Sequence, residues 1–396
     1  MCPAESASPT VAPLAVHLRS AAHMVGMTAA KPDHCYSRPG WITDRDGHTV
    51  MAAPAGSVCA AGIRHDVDVE VAGKDPTLAS IGWVQVSHTD AERRAGIEAL
   101  MALVGLVPTR PEHGVDVLGA LFSAPLRLSR RAGHLYIGKT GSGKSLCASA
   151  AFAAMSGIGM DGASFPIKLA GSSKAGVRAQ AAWHADMVCF ADRYRHRTRR
   201  GASQENKVAT DALGVLLNGS YDSVPDSSLH GIKTGRALAP VETTAYVTGE
   251  TTPEDDATLI EHAIMVRVFK GEVDLNGGGA IDRYRKLHAS GNSRRGLADY
   301  LQWLARQVDD GGDLTGGGGL TGLRAWADEA KRVHAARLGS GRAGEAVATD
   351  ATGWQAYRMY AREHGRAELL PAQGELDDWL ELLVESTSIA HACVSF

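Results

Sequence analysis

Eight consecutive residues constrain this 396-residue chain more than any others: Gly138-Lys139-Thr140-Gly141-Ser142-Gly143-Lys144-Ser145. They satisfy G-x-x-x-x-G-K-[ST], in which the glycines let backbone N–H groups curl round phosphates while the lysine and hydroxyl take the terminal phosphates and Mg²⁺. The flanks agree. Residues 134–137 predict a short strand, and alanine-rich residues 145–155 predict a helix whose positive amino end faces the phosphates. Leu146, in the first turn of that helix, completes the cofactor-binding set. ATP with Mg²⁺ is the expected ligand, with Lys144 as the leading contact and Ser145 on the metal.

A phosphate loop needs a carboxylate from a neighbouring strand to hold the metal's water shell. The run Met187-Val188-Cys189-Phe190-Ala191, closed by Asp192, supplies it, so Asp192 is read as the second metal-positioning residue. Arg193 follows where motor ATPases carry a catalytic Glu, which leaves the water-activating base unassigned. Residues 243–247 predict another strand, ending in Thr248-Gly249-Glu250. Thr248 at such a strand end would sense the γ-phosphate and Glu250 would polarise the attacking water; a plain polar turn is the competing reading. A strand over 263–269 contains Arg267, and Arg236 lies in the loop before the Thr248 strand. Each is a candidate arginine finger, set against an ordinary surface role.

The rest of the chain divides around this centre. An apolar share of 44% can build real cores in a chain long enough for two or three domains. Residues 1–114 mix Pro, Gly and alternating runs such as 65–71 and read as an α+β accessory region. Residues 115–274 read as an α/β P-loop NTPase core with a parallel-rich sheet, and Asn276-Gly277-Gly278-Gly279 marks its end. Helical spacing over 293–308, 343–364 and 376–386 makes 275–396 a helical C-terminal region. Residues 311–319, six of them glycine, read as a flexible linker.

Composition limits the function classes. A net charge of -3, from 41 basic and 44 acidic residues, means that nucleic-acid affinity must come from a local patch. Six scattered cysteines without a C-x-x-C pair point to reduced, cytoplasmic usage and to no structural metal, with His34-Cys35 read as an ordinary loop. No leader pattern or long apolar run is evident, so neither secretion nor membrane spanning is expected. The densest basic run is Arg193, Arg195, Arg197, Arg199 and Arg200, with Tyr194 and His196 among them. Directly behind the carboxylate strand, these arginines could grip DNA phosphates and Tyr194 could stack on a base. A solvated loop without a partner is the alternative.

With the octapeptide, residues 183–192, Val247-Thr248-Gly249-Glu250 and 263–274 in that order, the middle of the chain resembles the DUF927-type family. These are helicase-like P-loop ATPases of phages, plasmids and integrative elements. The resemblance extends through Asp299-Tyr300-Leu301-Gln302-Trp303-Leu304-Ala305 and residues 353–365. It implies a DNA replication or maintenance protein of a mobile element. A homo-oligomer is compatible with it, though the number of copies is not written in the sequence. The chain departs from the family pattern at Ala191, where a second acid usually stands, and at His262, usually an arginine; both bear on hydrolysis rather than on nucleotide binding. The rivals are an FtsK- or VirD4-like translocase, a small-molecule kinase with the arginine run as lid, and a module holding ATP as a switch. A GTPase is disfavoured, because Asn206-Lys207-Val208-Ala209 lacks the guanine-reading Asp.

Overall fold

The computed structural model describes residues 34–36, 38–69, 76–157, 167–169, 172–194, 203–222, 241–253, 259–273, 279–339 and 341–394. The described N-terminal part is small and sheet-rich. Strand β1 (His34–Tyr36) pairs in parallel with β6 (Val67–Val69), so His34-Cys35 is strand rather than the expected loop. Between them β2 (Gly40–Thr43), β3 (Thr49–Ala52), β4 (Ser57–Cys59) and β5 (Gly62–Arg64) form an antiparallel meander. Arg64 bridges Asp44, at 3.0 Å, and Asp66. Helix α1 (Asp90–Met101) follows, started by a capping box: Thr89 accepts from the Glu92 N–H at 3.2 Å and the Glu92 carboxylate accepts from the Thr89 N–H at 3.0 Å. Helix α2 (Pro111–Ser123) opens on proline, which lacks an N–H where the first turn offers no intrahelical acceptor for one, and is buried along nearly its whole length.

The central sheet comprises β7 (Gly133–Ile137), β8 (Ile167–Lys168), β9 (Val188–Tyr194), β10 (Thr244–Gly249) and β11 (Ala263–Arg267), all parallel, in the order β11-β7-β10-β9-β8. Parallel strands need crossovers. Helices α3 (Lys144–Met155), α4 (Lys174–Ala182) and α5 (Ser203–Asp222) stand between successive strands. Both faces are covered, so the strands read as nearly continuous apolar runs. Alternate residues feed two cores: Tyr136, Phe190 and Tyr246 face Phe152 of α3, while Leu135, Ile137, Cys189 and Val247 face Leu213 and Leu216 of α5.

Five α-helices follow among the described residues: α6 (Ala280–Ala289), α7 (Asn292–Asp309), α8 (Gly319–Leu338), α9 (Arg342–Glu363) and α10 (Gln373–Val394). The helical C-terminal region is therefore as expected, and α8 is an addition to it. These helices are fastened to α2 by aromatic packing. Phe122 stacks on Tyr357 at 3.8 Å between centroids, and Trp354 donates its indole N–H to the Val115 carbonyl at 2.9 Å. The expected linker at 311–319 is an ordered turn. Leu314 and Thr315 are buried, and Thr315 donates its hydroxyl to the Gln307 carbonyl at 2.8 Å. Burial of one leucine and satisfaction of the turn's polar groups outweigh the freedom that the glycines would otherwise allow. Among the described residues no helix is long and apolar enough to cross a membrane.

Candidate functional site

The glycine-rich loop leaves the carboxyl end of β7 and runs directly into α3, at the edge of a parallel sheet where α/β proteins place ligands. Its bend is fixed by backbone geometry. Gly141 and Gly143 take φ of +78° and +93°, which only glycine adopts at little cost, and a side chain at Gly143 would stand 2.5 Å from Val273 Cβ. Gly138 donates its N–H to the Gly249 carbonyl at 3.1 Å, and Ser142 closes the turn onto the Lys139 carbonyl at 3.1 Å. Lys139, Thr140 and Gly141 are exposed at the tip; Ser142 and Lys144 are buried, with Ser145 and Leu146 half-buried behind them. The Lys144 ammonium lies 3.5 Å from the Lys139 carbonyl, folded back over the loop. Leu146 and Cys147 donate their N–H groups to the Gly143 carbonyl at 2.9 and 3.2 Å, which closes the first turn of α3 directly onto the bend.

Three side chains from separate elements meet beside Lys144. The Ser145 hydroxyl lies 3.4 Å from Asp192 Oδ1, and Thr248 donates its hydroxyl to that same oxygen. A β-bulge makes this meeting. Val247 pairs with Ala191 and Gly249 with Tyr194, so Thr248 alone stands opposite Asp192 and Arg193. Asp192 accordingly sits inside β9, two residues before its end, rather than closing the strand. Glu250 follows β10, where Thr140 donates its hydroxyl to Glu250 Oε1 at 2.5 Å. Two oxygen donors at Ser145 and Asp192 suit a hard cation such as Mg²⁺.

The other expected site residues are placed differently. Arg267 is exposed at the end of β11, on the opposite side of β7 from β10 and β9. Arg236, Arg195, Arg197, Arg199 and Arg200 lie outside the described residues, as does the side chain of Arg193. Asp186, the nearest other carboxylate to β9 in sequence, belongs to the other end of the strand. There it receives Arg131 at 2.9 Å and the Trp41 N–H at 3.1 Å. Burial raises the Asp186 carboxyl pKa and lowers that of Arg131, and their mutual attraction opposes both shifts.

Sequence reasoning missed a second polar group at the far end of β7. His134 Nδ1 lies 2.8 Å from Asp116 Oδ1, Tyr136 donates to Asp116 Oδ2 at 2.5 Å, and His134 Nε2 lies 3.8 Å from Asp350 Oδ1. All are fully buried, and neither Asp350 oxygen has a hydrogen-bond partner. Burial, with the Asp116 charge adding to it, raises the Asp350 carboxyl well above its usual range, which favours its protonated form. Asp116, His134 and Asp350 come from α2, β7 and α9, and no local pattern links them. Cys147, at the start of α3, is likewise buried, which pushes its thiol up to about 12 and keeps it unreactive.

The architecture just described is a mixed α/β protein with a parallel sheet, a glycine-rich loop at its carboxyl edge and a helical C-terminal region. No protein-family model matches the chain, and no curated protein matches it. A solved structure described as "SCCmec type IV Cch - active helicase" matches at 12% identity with a TM-score of 0.49, over 96% of this chain. The chain spans 66% of that structure's length. Similarity at that level carries no argument about activity, and the family resemblance rests on the sequence motifs themselves.

Proposed function

We propose that the chain is an ATP-binding P-loop ATPase, a helicase-like protein acting on DNA in the replication or maintenance of a mobile genetic element. The observation supporting the nucleotide part is the convergence of Ser145, Asp192 and Thr248 beside Lys144, at the carboxyl edge of a parallel sheet. In this reading residues 115–274 are the motor core, 1–114 an accessory region and 275–396 a helical appendage. The DNA part comes from the resemblance to DUF927-type proteins and from the arginine run at 193–200.

The backbone of residues 138–146 cradles the phosphates, and Lys144 neutralises charge on the β and γ oxygens. Ser145 and Asp192 hold Mg²⁺, which when bound offsets charge developing on the transferred phosphoryl group. Thr248 orients the Asp192 carboxylate and stands where a γ-phosphate can be sensed. Glu250, within reach of the loop tip, orients the attacking water. Arg267 and Arg236 are the candidates for a charge-stabilising arginine, Arg267 acting on a neighbouring copy because β11 turns it away from Asp192.

The test is ATP turnover measured alone, with single-stranded DNA and with duplex DNA. Stimulation by DNA supports a motor, whereas phosphorylation of a metabolite without DNA dependence would replace it with a kinase. The triple variant Arg195→Ala, Arg197→Ala, Arg199→Ala locates the DNA contact. Loss of duplex affinity with a salt dependence flattened by roughly one log-log unit per lost contact supports phosphate binding by this run. Unchanged DNA binding removes it.

A further inference from the structure

The site is asymmetric about β7, and the asymmetry fixes which way a nucleotide lies. Asp192, Thr248 and Glu250 all stand on the β10 and β9 side, so the metal and the terminal phosphate belong there. The nucleoside end of the same ligand must then leave across the opposite side of the loop, over β11. That side is formed by residues 268–273. Val268 donates its N–H to the Ile137 carbonyl at 2.8 Å, and its own carbonyl packs against Gly138. Val273 closes against Gly143 at the other end of the loop, as described above. The segment therefore runs beside the whole glycine-rich bend.

Phe269 stands on this segment with 57% of its surface exposed, more than any other exposed large hydrophobic side chain among the described residues. Single exposed apolar residues are ordinary. The backbone here is held in place: the Phe269 N–H donates to Glu272 Oε2 at 2.8 Å, the Glu272 N–H returns to the Phe269 carbonyl at 3.3 Å, and Arg110 approaches Glu272 at 3.7 Å. The turn holds the backbone of this exposed aromatic residue beside the loop, with the exposed ammonium-bearing Lys270 next to it in sequence.

We infer that Phe269 is the platform on which the base of the bound nucleotide stacks, an inference that rests on the nucleotide reading of the loop above. Every base has a π-face, so stacking accepts bases with little discrimination. Phe269 therefore supplies affinity for the nucleoside but no choice between adenine and guanine.

Calorimetric titrations of the full chain, Phe269→Ala and Phe269→Trp with Mg-ATP, Mg-GTP and Mg-tripolyphosphate test this. Phe269→Ala should weaken ATP and GTP alike by about 5- to 150-fold while binding tripolyphosphate as the parent does. Phe269→Trp should retain ATP and show quenching of its indole fluorescence on binding. Equal loss of ATP and tripolyphosphate would mean that the ring merely props the loop, and unchanged ATP affinity in Phe269→Ala would remove the platform; either overturns the inference while leaving the loop's nucleotide role standing. A parent chain that binds neither ATP nor tripolyphosphate overturns the loop reading itself, and the platform with it.

Discussion

Thr248 donates its hydroxyl to Asp192 across a β-bulge, the one place where β10 and β9 fall out of register. Without that slip the threonine would face an ordinary ladder partner. Together with Ser145, it holds the carboxylate on the loop side of the sheet. Asp192→Asn is expected to leave ATP binding measurable and to lower Mg²⁺-dependent hydrolysis by about 100-fold or more, since the amide keeps the shape and loses the charge. Thr248→Val should lower turnover by about tenfold with little change in ATP affinity, by analogy with the loss of one hydrogen bond to a charged group. Steady-state kinetics beside an ATP titration reads both, and an Asp192→Asn enzyme with normal turnover would remove Asp192 from the metal site.

Asp186 has the opposite expectation, because it pairs with buried Arg131 at the amino end of β9. Asp186→Asn should cost about 3 kcal/mol or more of stability, the usual consequence of leaving a buried charge without its partner. Urea unfolding followed by circular dichroism measures it. Wild-type stability combined with lost hydrolysis would show that the two carboxylates have been given each other's roles.

How far the sequence could be read follows the distance over which each feature is encoded. The loop motif is legible because its eight residues are adjacent, and Asp192 and Thr248 are legible because each comes at the end of an apolar run, though both lie inside their strands. Their contact is not, since it depends on a bulge between strands 56 residues apart. Asp350 was invisible for the same reason: it meets His134 only after α9 has folded against β7. The turn at 311–319 misled through composition, because glycine counts do not reveal that Leu314 inserts into the core. Helix α8 was obscured by its glycine-rich start.

The burial of Asp350 yields a pH prediction. A carboxyl whose folded pKa is raised contributes stability that is fully present below its unfolded value, near 3.8, and lost as pH rises through the folded value. Between those two values the unfolded chain releases a proton that the folded chain keeps, so the wild-type chain loses that contribution progressively as pH rises. Asp350→Asn, which stays uncharged, should gain stability relative to wild type as pH rises above about 4, levelling off once the raised folded pKa is passed. Thermal unfolding midpoints of both proteins across pH 4 to about 8 check this. A difference independent of pH would show that Asp350 does not titrate differently in the folded state.

The central claim is that residues 138–146 bind the phosphates of ATP through Lys144. Titration of Mg-ATP into the wild-type chain and into Lys144→Ala, with circular dichroism confirming that both are folded, tests it most directly. Wild type should bind, and the variant should bind about 10- to 150-fold more weakly, matching the loss of about 1.5–3 kcal/mol for a hydrogen bond to a charged group. A folded Lys144→Ala chain that binds and hydrolyses ATP as the wild type does would contradict the account.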